Sequence, residues 1–210
     1  MIMVIQPIVE GQGEEAAVPL LLRRLRDASQ AWGLEVAKPH RNFRGRLAKK
    51  ESLQQSVRLA RLTPNCAGIL VIFDADTICP GKEGPRLTEW AQEAAGDKPC
   101  ALVLANREYE AWFLASIESL RGKARVLPDA SYYADPESPR DAKGEIRRRM
   151  RGNAYAPTKD QEKLTAHFDL ASAYKKSRSF RKLVAAFGAL AAAAGVAPAV
   201  WPPTEWVSSE

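Results

Sequence analysis

Hydrophobic and polar positions fall into two kinds of block along this chain. Continuous apolar runs rich in β-branched residues stand at Met1–Val9, Gly68–Phe73 and Cys100–Ala105, with a shorter one at Leu34–Lys38. Runs of this kind are strands buried on both faces, as in a parallel sheet. Helical periodicity fills the intervals. In Val18–Trp32, Val18, Leu21, Leu22, Leu25 and Ala28 share one stripe, while Arg23, Arg24 and Asp27 lie off it. Pro19 is expected in the first turn, where a missing N–H is harmless, and Gly33 is expected to end the helix. Leu47–Leu62, closed by Thr63-Pro64, and Gly84–Ala95 are the next helices, and a fourth starts at Glu108 and reaches Leu120.

Strands alternating with helices predict an α/β fold, a parallel sheet of about four strands flanked by helices. Beyond Gly122 the pattern changes. Leu127–Pro139 reads as an extended loop, and Lys143–Arg151 is strongly basic. Lys159–Tyr174 and Ser179–Ala194 read as two helices, with Ser177 or Ser179 as a cap for the second. The expected organisation is an α/β domain over 1–122, with 123–210 a basic loop and helical C-terminal extension packed on it. The longest apolar run, Ala185–Trp201, holds Gly195 and Pro198 and is too short to span a bilayer. It reads as a packed helix and a loop. Trp201 and Trp206 are expected to pin the proline-rich tail onto the domain.

Composition narrows the class. The 210 residues are 46% hydrophobic and 27% charged, which excludes a disordered tail, a collagen and a coiled coil. The three cysteines, Cys66, Cys79 and Cys100, form neither a disulfide framework nor a zinc pattern, and a reducing cytoplasm suits them. With two histidines there is no His-rich metal site. The apolar start lacks a basic leader and meets Glu10, unlike a signal peptide.

The acids carry the candidate chemistry. Glu10 ends the first strand and Glu14 follows it, in Glu10-Gly-Gln-Gly-Glu14. Asp74 and Asp76 follow the third strand, and Glu108 and Glu110 follow the fourth. Three strands therefore deliver carboxylates at their C-terminal ends, which a parallel sheet gathers on one edge. Clustered carboxylates repel unless cations compensate. Hard oxygen donors in this number suit one or two Mg²⁺ or Mn²⁺ ions. Two ions about 4 Å apart can stabilise both the attacking and the leaving oxygen of a phosphodiester. The bland readings are helix-capping aspartates and macrodipole-stabilised glutamates in first turns. The glycines beside Glu10 are expected to admit backbone and phosphate closely.

These residues resemble a known family. The E-G-x-x-E and D-x-D order resembles the Toprim domain of topoisomerases, primases and overcoming-lysogenization-defect nucleases. The longer blocks VEGQGEEAAVPLLLRRL, FDAD, REYEAWFLAS and YKKSRSFRKL resemble the Toprim-like bacterial family catalogued as domain of unknown function 4276, over about Met3 to Leu190. Members often lie beside an ATPase in defence islands. The resemblance implies that Glu10 acts as general acid/base or ligand and that Asp74 and Asp76 bind metal. Glu14 and Glu110, with Glu108, are implied as further acidic ligands. A downstream catalytic lysine is implied, with Lys143 and Lys175 as candidates and Lys176 behind them. The chain has D-A-D-T where many Toprim proteins carry a further acid or glycine. It has no Walker A sequence and no G-x-G-x-x-G, so an ATPase activity is expected in a partner chain. Tyr109, Tyr132, Tyr133, Tyr155 and Tyr174 lack the context of a topoisomerase nucleophile.

The net charge of +6 conceals a division. Lys38–Arg61 contributes +7 and Arg140–Lys182 contributes +8, which leaves −9 for the rest, including the strand-end acids. Lys49, Lys50, Arg58, Arg147, Arg148, Lys176 and Arg178 are the candidates for gripping a polyanionic backbone. Lys50, Gln54, Arg58 and Arg61 share one helix face, which read by itself is a solvated face. The expectation is a Mg²⁺- or Mn²⁺-dependent nuclease acting on DNA or RNA, with an ATPase partner and no membrane. The alternative is a non-catalytic module that binds metal and the ATPase. A primase-like transfer on nucleotides is a third reading, disfavoured by the missing nucleotide-cradling loop.

Overall fold

The computed structural model describes residues 2–196 and 200–208. The strands are β1 (Met3–Val9), β2 (Leu34–Val36), β3 (His40–Arg41), β4 (Cys66–Asp74) and β5 (Cys100–Ala105). They form one parallel sheet in the order β2-β1-β4-β5. The short β3 also pairs with β1, through Ile8–His40 and Val9–Arg41, beyond the end of β2. Thus β2 and β3 are one edge strand interrupted at Lys38-Pro39. Gln6 fills the break by donating its side-chain N–H to the Lys38 carbonyl at 2.8 Å.

Alternation along the strands divides the core. Ile5, Val9, Leu70, Ile72, Val103 and Ala105 face one layer, built from α1 (Glu14–Ser29) and α8 (Arg178–Ala193). Ile8, Ile69, Val71, Phe73, Leu102 and Leu104 face the other, built from α2 (Lys50–Ala60) and α3 (Pro80–Ala95). Both faces of β4 and β5 are buried, which is why those strands read as unbroken apolar runs.

Several boundaries differ from the sequence pattern. Helix α1 begins at Glu14, so Pro19 stands in its second turn instead of its first, and the helix ends at Gln30 in the left-handed conformation (φ 54°), three residues before Gly33. The stretch from Glu108 divides into α4 (Glu110–Ala115) and a 3₁₀ turn, Ile117–Leu120. The helix expected over Lys159–Tyr174 is a π-turn (Pro157–Gln161), α6 (Glu162–His167) and α7 (Leu170–Lys176). Extended backbone at Phe168 and Asp169 breaks it, and Asp169 caps α7 by accepting the Ser172 N–H. Ser177 caps α8 by accepting the Phe180 N–H at 3.0 Å.

The C-terminal half completes the first core layer. Fully buried Trp112 and Phe113 of α4 meet Phe168 and Phe180 through edge-on contacts 5.4 to 5.7 Å apart. Each such side chain contributes about 1.5–3 kcal/mol by burial. Trp201 donates its indole N–H to the Val184 carbonyl and packs on Phe187 and Trp206, pinning the tail. A short helix, α9 (Thr204–Val207), replaces the expected loop there, and Pro198 lies outside the described residues. The remaining helix, α5 (Ala142–Arg148), follows the long loop after Gly122. The three cysteines are free, and no helix among the described residues is long and apolar enough to cross a membrane.

Candidate metal centre

The carboxyl ends of β1, β4 and β5 converge as the strand polarity requires. Glu10, Gly11, Glu14, Arg44, Asp74, Asp76 and Lys143 line one cavity of about 100 Å³. Asp74, Asp76 and Glu108 each offer a carboxylate oxygen, all within 4.8 Å of one another. Asp74 is fixed by the Tyr109 backbone N–H at 2.7 Å. Asp76 takes the left-handed conformation (φ 47°), and its backbone N–H is held by the Arg107 carbonyl.

Lys143 is the cation inside this group. Its Nζ lies 2.9 Å from Asp74, 2.9 Å from Glu108 and 3.5 Å from Glu110. It is aimed there because it occupies the first turn of α5, capped by Asp141, and its own backbone N–H donates to Glu108 at 2.9 Å. Burial alone would lower the Lys143 ammonium, but Glu110 and Asp74 outweigh it and hold its pKa above the ordinary value.

The carboxylates feel the opposite pressure. Burial, reinforced by Asp74, pushes Glu14 up to about 8, although Glu14 accepts the backbone N–H groups of Glu10 and Gly11. Burial pushes Glu110 up to about 7 against the pull of Lys143. Glu110 is wholly enclosed: one oxygen accepts the Tyr155 hydroxyl at 2.6 Å, and the other accepts no hydrogen bond. Glu10 and Asp74 are raised for the same first reason, burial.

Two glycines serve this geometry in a way the sequence did not suggest. A Cβ on Gly13 would stand 2.2 Å from the Gln161 side chain and 2.7 Å from the Pro157 carbonyl oxygen. Gly13 is therefore needed for packing against the π-turn. A Cβ on Gly11 would crowd the Glu14 carboxylate at 3.2 Å.

The loop after β3 closes the other side. Glu10 accepts the backbone N–H groups of Gly45 (3.0 Å) and Leu47 (2.7 Å), and Arg44 pairs with Asp76 at 2.9 Å from an exposed position. Arg44 lay within the basic segment but carried no spacing signal that marked it. Tyr155 and Gln161, which surround Glu110, were equally unmarked.

Of the six acids singled out from the sequence, Asp74, Glu108 and Glu110 contact Lys143, and Glu10, Glu14 and Asp76 line the same cavity. Lys175 does not join them; it is exposed on the last turn of α7 and is not among the residues lining the cavity. Lys176 is likewise exposed and pairs with Glu118 at 3.4 Å. The polar face of α2 runs along the seam with α3, with Lys50, Arg58 and Arg61 exposed and only Gln54 buried, so it is a solvated face that also makes pairs across the seam. Lys50 pairs with Glu93, buried Gln54 donates to the same carboxylate, Arg58 donates to Gln54 and Arg61 pairs with Asp97 just past α3. Lys49 stands exposed at the start of α2. Arg147 and Arg148 are exposed on α5, with Arg148 paired to Glu145. Arg178 is exposed at the start of α8.

Comparison with known proteins gives one relationship. The model of a family described as a domain of unknown function (DUF4276) matches residues 9–187. No curated protein and no solved structure matches the chain.

Proposed function

The chain belongs to the family described as domain of unknown function 4276, and on that footing we propose a metal-dependent nuclease of Toprim type, hydrolysing phosphodiester bonds of DNA or RNA. A setting in bacterial defence beside an ATPase partner follows the family resemblance. The observation that carries the reading is the density of acid. Four carboxylates line the cavity with Lys143 and Arg44, and Lys143 also meets Glu108 and Glu110. Glu110 Oε2 is buried with no hydrogen bond and only the Lys143 ammonium at 3.5 Å beside it, and Glu10, Glu14, Asp74 and Glu110 are all raised. A site with surplus buried carboxylate and hard oxygen donors fits Mg²⁺ or Mn²⁺.

Asp74, Asp76 and Glu108 would hold the ion, with Glu10 and Glu14 lining the same cavity. When bound, such an ion polarises a phosphoryl oxygen and acidifies water. The chain's own groups supply the rest. Glu10 is oriented by two backbone N–H groups, and its raised pKa makes it a stronger base than a surface glutamate. It accepts the proton that water loses on attacking phosphorus, while the P–O bond to the leaving nucleotide oxygen breaks and that oxygen takes a proton from solvent. Lys143 stays charged, fixes Asp74 and Glu108, and opposes the negative charge that develops at the phosphate. Arg44, on the rim, meets the phosphate from the solvent side.

The test is Asp74→Ala, assayed on single- and double-stranded DNA and RNA with Mg²⁺, Mn²⁺ or chelator. Metal-dependent cleavage by the wild type should fall by at least the 10–100-fold, roughly, seen for outer-shell partners. Equal rates would sink the assignment. One observation favours the non-catalytic alternative: Lys143 already neutralises part of the cluster from within. Metal binding without turnover on any nucleic acid, alone and with the ATPase, would favour that module.

A further inference from the structure

A larger cavity, about 440 Å³, opens on the same edge of the sheet. Its walls continue the segments that carry the acids. Leu104 near the end of β5 and Asn106 just past it stand before Glu108, and Cys79, Pro80 and Gly81 lead into α3 just after Asp76. Arg178, Ser179 and Lys182 of α8 close it. This volume lies in the range that holds a small organic ligand.

Its charge is opposite to that of the acidic site. Arg178 and Lys182 stand one turn apart, exposed, and neither forms an ion pair among the described residues. The carboxylate in the lining, Glu137, is spent internally. One of its oxygens accepts the Ser177 hydroxyl (2.6 Å), the Ser179 N–H (2.7 Å) and the Ser179 hydroxyl (2.7 Å), and the other accepts Asn106 at 3.3 Å. The Lys182 ammonium lies 3.7 Å from where a Cβ on Gly84 would stand, directly over the first turns of α3. An ammonium beside the positive end of a helix, with Glu83 engaged by Arg86, is an arrangement that an anion would relieve. Pro80 and Leu104 add an apolar wall, and Gly81 leaves its backbone open, with nothing within 4 Å of a Cβ there.

We propose that this cavity binds one nucleotide unit of the strand, with its phosphate between Arg178 and Lys182 and its sugar and base along Pro80 and Leu104. The proposal deepens the nuclease reading and rests on it for the identity of the strand. The affinity for a nucleotide itself needs no metal. It seats a neighbouring nucleotide while the acidic site acts on the adjoining phosphodiester, and so sets the register of the cut.

The full chain is titrated with thymidine and adenosine 5′-monophosphates in chelator, followed by calorimetry and NMR, with inorganic phosphate and adenosine as fragments. Wild type and Asp74→Ala should bind the nucleotides alike and each fragment more weakly. The Arg178→Gln/Lys182→Gln variant should lose at least about tenfold in affinity, as expected for two charge-assisted contacts, with unchanged circular dichroism. In cleavage assays the same variant should raise KM far more than it lowers kcat. No nucleotide binding by the wild type, or binding that the double variant retains, overturns the proposal. The expected binding pattern without cleavage under any metal supports the cavity and sinks the nuclease reading instead.

Discussion

The aromatic cluster around Trp112 and the acidic group around Lys143 meet in one short stretch of sequence, where Glu108 and Glu110 stand within a few residues of Trp112 and Phe113. Both are buried, with opposite consequences. Trp112 donates its indole N–H to Ser179 at 2.9 Å and otherwise meets apolar surface, so enclosure stabilises it. Glu110 meets enclosure as a penalty: burial raises its pKa, and its second oxygen has no hydrogen bond and only the Lys143 ammonium at 3.5 Å. One helix, α4, spans both environments. The difference teaches that the fold's aromatic interior supports an edge that is itself electrostatically unfavourable. That contrast is what the proposed metal site would explain.

The strongest way to break this contrast is to remove the cation. Lys143→Met should destabilise the chain by about 3–5 kcal/mol in chelator, because it leaves buried carboxylates uncompensated. Saturating Mg²⁺ should recover much of that loss. Trp112→Ala should lose a similar amount, about 3–5 kcal/mol, with no metal dependence. Denaturant unfolding with and without Mg²⁺ separates them, and equal metal responses would erase the distinction.

A smaller effect sharpens it through pH. Glu14 is raised in the fold to about 8 from an ordinary 4.5, so the folded state holds the proton more tightly than the unfolded chain. Its contribution to stability is complete below about 4.5 and is lost as pH rises through about 8. Glu110, raised to about 7, acts in the same sense. Metal-free wild type should therefore weaken between pH 5 and 8, and Glu14→Gln should flatten that slope in thermal melts. An unchanged slope would mean that Glu14 ionises freely. The smallest effect is expected at the α7 cap. Asp169→Ala removes the side chain that accepts the Ser172 N–H and should lose about 1 kcal/mol by denaturant unfolding, without any metal signature in the acidic site.

The sheet and the acids were legible because both follow from period and polarity. Unbroken apolar runs marked β1, β4 and β5, and parallel strands bring their carboxyl ends to one edge. What lay beyond reach was the long-range return of the chain. Lys143 was one of thirteen Lys and Arg residues in Arg140–Lys182, and nothing local separated it from Lys175. The choice depends on where α5 docks, which its own sequence does not state. Arg44 reaches Asp76 from a loop without period, and the solvated polar face of α2 gave no sign that Glu93 and Asp97 would pair with it across the seam with α3. The helix expected over Lys159–Tyr174 failed at Phe168 because Asp169 caps a new helix more strongly than it continues the old one.

The interrupted edge of the sheet has a consequence for chains that meet one another. An outermost strand of uniform length offers a ladder of free amides that a second copy can extend. Here the ladder is cut into three and two residues, and Pro39 at the break brings no N–H at all. Gln6 holds the gap from the inner side, so the break is part of the fold and not fraying. Two copies that collide along this border find no run long enough to zip together, and fibril growth has no template there.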